Sequence, residues 1–280
     1  MNSFAIRFCK ILWGVTPFFV VRQFYLDTFM RLVRGRKIMR AIEGMNFELD
    51  LGENIDVCLL LEKFERDVVE AIEQRCKPGF RILDIGANIG AHTLRLAKGA
   101  GSGGVVYAFE PTVYAFDKLS RNVALNSSWP VYAFRLALSN RNEKNNSISF
   151  RSSWQTDGSS LSGTCQTDFV RLDDWCEQHD VNHIDMIKID VDGNEFLVFD
   201  GARKLISSCR PIIIMEVGAW HFADSNSNVL LLLSELGYQF LDAKTQMEYS
   251  SVDEIKSVLP VEDAAMTVSI NVLAIPPAAK

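Results

Sequence analysis

This 280-residue sequence predicts an α/β fold, a mostly parallel sheet covered by helices on both faces, and three observations carry that expectation. Short apolar runs at 81–85, 105–109, 186–189 and 212–215 alternate with helix-compatible segments. Runs this apolar are buried on both faces, as strands of parallel sheets are. The first run enters a glycine turn, Gly86-Ala87-Asn88-Ile89-Gly90, and the second ends in Glu110.

Strand, glycine turn, helix from Ala91 to Lys98, strand and acid together make a βαβ unit suited to a nucleoside-like cofactor. Gly86 and Gly90 let backbone approach a ligand where a Cβ would collide. The free N–H groups of the new helix face whatever polar group sits in front of them. Glu110, at the end of the second strand, is placed to accept hydrogen bonds from ribose hydroxyls. A dinucleotide site wants G-x-G-x-x-G, whose middle glycine clears room for a pyrophosphate. Here the spacing is G-x-x-x-G with Asn88 in the middle, which points to S-adenosylmethionine (SAM) rather than a nicotinamide cofactor. A ligand-free turn accounts for the glycines but not for the acid. The expected cofactor-binding residues are Asp84, Gly86, Ala87, Asn88, Gly90, His92, Thr93, Glu110, Pro111 and Leu138.

The other elements follow in order. Residues 45–51 alternate, with Phe47, Leu49 and Leu51 against Asn46, Glu48 and Asp50, as a half-buried strand does. Residues 63–76 read as a helix ending before the Pro78-Gly79 turn. After Pro111 a helix runs through Asn126 with Phe116, Leu119 and Val123 on one face. Residues 131–138 form a third strand, 186–189 a fourth and 212–215 a fifth. Residues 229–236 form a helix closed by Gly237, and 238–241 pairs with 267–275 as the last two strands. Residues 139–167, dominated by Asn, Ser, Thr, Gln and Gly, read as an active-site lid or an insertion, with a short strand at 148–150.

Six cysteines are scattered without a C-x-x-C pair, which argues against zinc or a disulfide framework and fits a reducing, cytoplasmic setting. The net charge is −6, yet residues 1–40 hold eight Lys or Arg against Asp27 alone. The other 240 residues carry 34 acids against 21 bases, so nucleic acid is a poor partner for them. Residues 1–40 form a basic, aromatic-rich helical extension to a domain over 41–280. Pro17 and Arg22 interrupt its apolar run, which falls short of a spanning helix. Two readings stay open for it. One is a helix in peripheral contact with a membrane surface and a lipid-linked substrate; the other is a helix packed on the main domain. A transit peptide suits it less, because Trp and Phe are too dense.

The strings LDIGANIGAHTL, VYAFEP, RNVALN, LDDW, IKIDVDGNE and PIIIMEV, in that order over residues 45–275, resemble the FkbM family of SAM-dependent methyltransferases. The resemblance implies a class I, Rossmann-like methyltransferase fold, with a seven-stranded, mostly parallel sheet whose last strand is antiparallel. It also implies O-methyl transfer to a hydroxyl of a sugar, glycolipid or glycosylated natural product. Asp192 stands where the family usually has Glu, which shortens the reach of that carboxylate. A sugar hydroxyl is a poor nucleophile until its proton leaves, so a general base is expected. Ligands in such sheets sit beyond the carboxyl ends of the strands. That leaves Asp190 and Asp192 after the fourth strand, and Glu216 and His221 after the fifth, as catalytic candidates. Plainer roles compete: Asp190 as a helix N-cap, Glu216 in a salt bridge. Asp190, Asp192 and Glu216 also suit Mg²⁺, which takes oxygen ligands, although no metal is required. His92 is expected to line the cofactor pocket, and His179 and His183 to be exposed. Two other functions remain: a non-catalytic scaffold with this fold, and a methyltransferase acting on a lipid or protein.

Overall fold

The computed structural model describes residues 35–154, 160–223, 228–259 and 269–277. Their contacts divide into two compact units, the described residues of Met1–Arg66 with those of Ser149–Thr164, and those of Asp67–Ile148 with Cys165–Lys280.

In the first unit, β1 (Lys37–Ile42) and β2 (Met45–Asp50) pair antiparallel. Glu43 and Gly44 between them have φ of 49° and 83°, the positive values a two-residue hairpin turn requires. The alternation expected along β2 is present, with Met45, Phe47 and Leu49 buried and Asn46 exposed. Helix α1 (Asn54–Leu60) follows, and Asp56 accepts a hydrogen bond from the Asp50 N–H at 3.0 Å. The boundary expected at residue 40 falls inside β1, and most of the extension, residues 1–34, lies outside the described residues.

The second unit holds the sheet that positions the site. Its parallel half comprises β3 (Arg81–Ile85), β4 (Val105–Phe109), β5 (Val131–Phe134), β9 (Met186–Ile189) and β10 (Ile212–Gly218). Strands β11 (Gln239–Asp242), β12 (Glu248–Tyr249) and β13 (Ser269–Ile275) complete the order β12-β11-β13-β10-β9-β3-β4-β5. β13 runs antiparallel to both β10 and β11. The chain leaves central β3 toward β4 and β5, then returns to build β9 and β10 on the other side. The switch point therefore lies between β3 and β9, where ligands bind in sheets of this type. The expected seven strands are present, and β12 adds an eighth.

Alternate residues supply the two cores. Ile82, Val106, Met186, Ile214 and Leu273 pack with Val68, Ala71 and Ile72 of α2 (Arg66–Arg75) and with Leu96 and Ala97 of α3 (Ala91–Ala100). Leu83, Ile187, Ile213 and Val272 face the other way. There they meet α5 (Leu172–Gln178), α6 (Glu195–Asp200), α7 (Arg203–Cys209) and α8 (Val229–Glu235). Burying each such side chain is worth about 1.5–3 kcal/mol, which fixes the strand register. Helix α4 (Val113–Ala124) packs Leu119, Phe116 and Val123 against Ala87 and Ala108, the face its spacing predicted. α8 ends as its glycine foretold: Gly237 takes φ 83°, its N–H reaches the Ser234 carbonyl, and the Tyr238 N–H reaches that of Leu233. The last helix is α9 (Val252–Val258).

Two expectations need correction. Residues 131–138 are not one strand: the run breaks at Arg135, and only β5 joins the main sheet. The second piece, β6 (Leu136–Ser139), pairs in parallel with β8 (Ser160–Arg171). Residues 139–167 hold far more strand than the short run expected at 148–150, since β7 (Glu143–Trp154) joins β8 and β6 in a three-stranded sheet of order β6-β8-β7.

Candidate active site

The first half of the site lies at the end of β3. Asp84 is fully buried, and its Oδ2 accepts the Thr93 hydroxyl at 2.5 Å. That bond ties the strand end to the first turn of α3. Asp84 Oδ1 and Asn88 Oδ1 are enclosed and have no protein partner. Buried acceptors are rarely left so. Asn88 takes φ 47° and sends its N–H to Glu110 Oε2 at 2.9 Å. Glu110 Oε1 accepts both the N–H and the hydroxyl of Thr112, at 2.9 and 2.6 Å. Three of its roughly four acceptor positions are therefore taken. Burial raises the Glu110 pKa, against the pull of the Thr112 and Asn88 hydrogen bonds and the Lys188 charge.

The glycines answer to the protein before any ligand. A Cβ on Gly86, whose φ is 80°, would sit 1.8 Å from the Asp190 carbonyl oxygen. The first turn thus closes directly on the loop after β9, and the Asp190 N–H also bonds the Ile85 carbonyl at 3.0 Å. A Cβ on Gly90 would meet Leu119 Cδ1 at 2.8 Å. His92 and Ala87 are buried beside the turn. The Pro111 carbonyl accepts the Cys165 thiol at 3.9 Å. Leu138 lies in β6 and packs within the core that holds Leu172 and Trp175.

The second half lies at the carboxyl ends of β9 and β10; the fifth strand runs on to Gly218, so Glu216 sits within it rather than after it. Asp190, Asp192 and Glu216 converge, each offering a carboxylate oxygen within 4.8 Å of the others. The set suits hydroxyl donors or a hard cation equally in its chemistry. Lys188, 6% exposed, places its ammonium 3.3 Å from Asp190 Oδ2, so the buried charge is paired. Glu216 also accepts the Ser269 hydroxyl from the neighbouring β13. Asp190 does not cap α6, whose N-cap position is Asn194.

His221 departs from its expected role. It is buried, its Nδ1 accepts the Gly218 N–H at 3.2 Å, and its Nε2 lies 3.0 Å from Glu195 Oε2. A nitrogen that accepts an N–H carries no proton, so the proton sits on Nε2 and is donated to Glu195. No lone pair is left for a substrate proton, and His221 is withdrawn as the base. His179 and His183 are exposed as expected, His179 stacking on Trp175 with centroids 4.4 Å apart. Four residues that sequence reasoning passed over frame the site: Thr112, Lys188, Glu195 and Trp220. The I-K-I-D string held the one available signal, a lysine two residues before an acid on a strand, hence on the same face.

Residues 84–240 match the family described as the methyltransferase FkbM domain, and the chain belongs to that family. It is a methyltransferase of class I, Rossmann-like fold, the architecture its strand order sets out. It is 28% identical over 175 residues to the hexuronic acid methyltransferase AglP of Haloferax volcanii, covering 61% of this chain and 68% of that one. It is 27% identical over 167 residues to the 2-O-methyltransferase NoeI of Sinorhizobium fredii, covering 53% of this chain and 66% of that one. Among solved structures, an FkbM methyltransferase from Methylobacillus flagellatus KT aligns with a TM-score of 0.42 and 16% identity, covering 79% of this chain and 52% of that one. The chain thus spans about two thirds of each curated relative and about half of the solved one.

Proposed function

We propose that this chain transfers a methyl group from SAM to a hydroxyl of a sugar or sugar-bearing acceptor. The observation that carries the reading is the meeting, at one switch point, of the Gly86–Gly90 turn and a three-carboxylate group with Lys188 beside it. The printed activities of two relatives, one on hexuronic acid and one a 2-O-methyltransferase, support the same class of acceptor.

The residues fit SAM. Glu110 with Thr112 would take the ribose hydroxyls, and the enclosed oxygens of Asp84 and Asn88 would take the donors of the amino-acid end. When bound, SAM supplies a methyl on a sulfonium, an electrophile that needs no further activation. The chain must then hold an acceptor hydroxyl and take its proton. The carboxylates of Asp190, Asp192 and Glu216 accept hydroxyls, orient the sugar and receive that proton. Lys188 holds Asp190 in place and balances part of the charge. We therefore predict that the double variant D190N/D192N loses about 10²–10⁴-fold in turnover while SAM binding by calorimetry stays near that of the wild type. Unchanged turnover would remove these carboxylates from the chemistry. A second reading is Mg²⁺ held by the same three carboxylates, whose oxygens lie within 4.8 Å of one another. Loss of activity on EDTA, restored by Mg²⁺, would select it.

A further inference from the structure

The chemistry above leaves an enclosed pair of ionisable side chains unused. Glu195 and His221 have side chains 1% and 3% exposed, and no proton reaches an acceptor through them. Yet they complete an unbroken chain of hydrogen bonds. The Val191 N–H donates to Glu195 Oε1 at 3.0 Å, His221 Nε2–H donates to Glu195 Oε2 at 3.0 Å, and the Gly218 N–H donates to His221 Nδ1 at 3.2 Å. One end of this chain is the loop that carries Asp190 and Asp192. The other is the last residue of β10, two positions beyond Glu216.

That loop needs holding. Asp192 and Gly193 take φ of 51° and 92°, values that most residues avoid. The Trp220 indole presses on the same two points: a Cβ on Gly193 would lie 3.0 Å from its Cδ1, and one on Gly218 2.2 Å from its Cζ3. Burial works to raise the Glu195 pKa, its contacts with His221 and the Val191 N–H work to lower it, and the net shift is downward, so the carboxylate stays ionised. A charge-assisted bond shielded from water is strong and directional.

We propose that Glu195 and His221 are positioning residues that tie the 190–194 loop to the end of β10, so that Asp190, Asp192 and Glu216 stay converged on the acceptor. This rests on the reading of those carboxylates as the acceptor site. The proton inventory makes the device testable without a change of shape. Gln at 195 presents one acceptor and one donor where two acceptors are needed. If its amide donates to His221, the ring proton moves to Nδ1 and opposes the Gly218 N–H. If its amide instead faces Val191, two donors meet there. No tautomer satisfies all the bonds.

In the wild-type full chain, nitrogen NMR of labelled histidine should find His221 as the Nε2–H tautomer; an Nδ1–H tautomer would overturn the proposal. In E195Q, amide exchange at Val191 and Gly218 should speed up about tenfold or more. SAM affinity should stay within about threefold, while turnover on a soluble sugar acceptor drops by about tenfold or more. Should E195Q not fold, E195D keeps the charge, shortens the reach and is measured in the same way. Faster exchange at Val191 with turnover unchanged would reduce the pair to packing. A wild-type protein that methylates no sugar refutes the function proposed above, whereas the tautomer and exchange results still decide the brace.

Discussion

Glu110 shows how a single residue joins fold and ligand. Its side chain bonds the glycine turn through Asn88 and its own strand end through Thr112, so the carboxylate we propose for the ribose also fixes the turn beside it. Glu110→Ala is expected to weaken SAM binding at least tenfold, since a hydrogen bond to a charged group is worth about 1.5–3 kcal/mol. Because burial raises its pKa above 4.5, protonation should begin to erode SAM affinity at a higher pH than an exposed glutamate would. Affinity is thus full on the alkaline side and lost as the pH falls. Calorimetry across that range checks both points, and an unaltered affinity in E110A would undo the ribose assignment. The place of Glu110 beside the glycine turn was legible because the acid ends the strand that follows that turn. His221 was not, because a loop histidine looks the same in sequence whether its nitrogens are free or committed. Here Gly218 and Glu195 had already claimed both.

At the scale of elements, strands buried on both faces read clearly: 81–85, 105–109 and 186–189 appear with the boundaries their apolar runs suggest. Polar strands did not. β7 and β8 lack the apolar alternation that marks a strand, and β12 is two residues long, so pairing rather than composition defines them. The split at Arg135 was hidden for a related reason, since β5 and β6 are adjacent in sequence but belong to different sheets. The carboxyl ends of β9 and β10 and the loop after β9 carry the most consequential charge, three carboxylates near one ammonium. Such a surplus favours neutral, hydroxyl-rich acceptors over anionic ones. We expect a neutral glycoside to show a KM at least about tenfold below that of the matching uronate, equivalent to about 1.4 kcal/mol. Equal KM values in metal-free buffer would contradict this account of the charge.

For the whole molecule, the sequence read the methyltransferase body well, while residues 1–34 of the amino-terminal segment lie outside the described residues. Residues 1–34 hold Arg7, Lys10, Arg22, Arg31 and Arg34 against Asp27. Among the described residues, no helix is long and apolar enough to cross a membrane. We propose that this segment brings the enzyme to an anionic surface, at about 1 kcal/mol for each basic residue that approaches it. A variant beginning at Gly35 should bind SAM normally and stop sedimenting with phosphatidylserine vesicles. Unchanged sedimentation would assign any membrane contact to another part of the chain. The central claim is SAM-dependent methylation of a sugar hydroxyl, and one measurement tests it most directly. The full chain is incubated with methyl-labelled SAM and a panel of neutral glycosides, uronates and glycolipids, and the labelled product is located by NMR. The account predicts a labelled O-methyl carbon on a sugar ring, formed by the wild type and lost in D190N/D192N. Label found only on lipid, peptide or nitrogen, or no transfer by a protein that binds SAM, would contradict it.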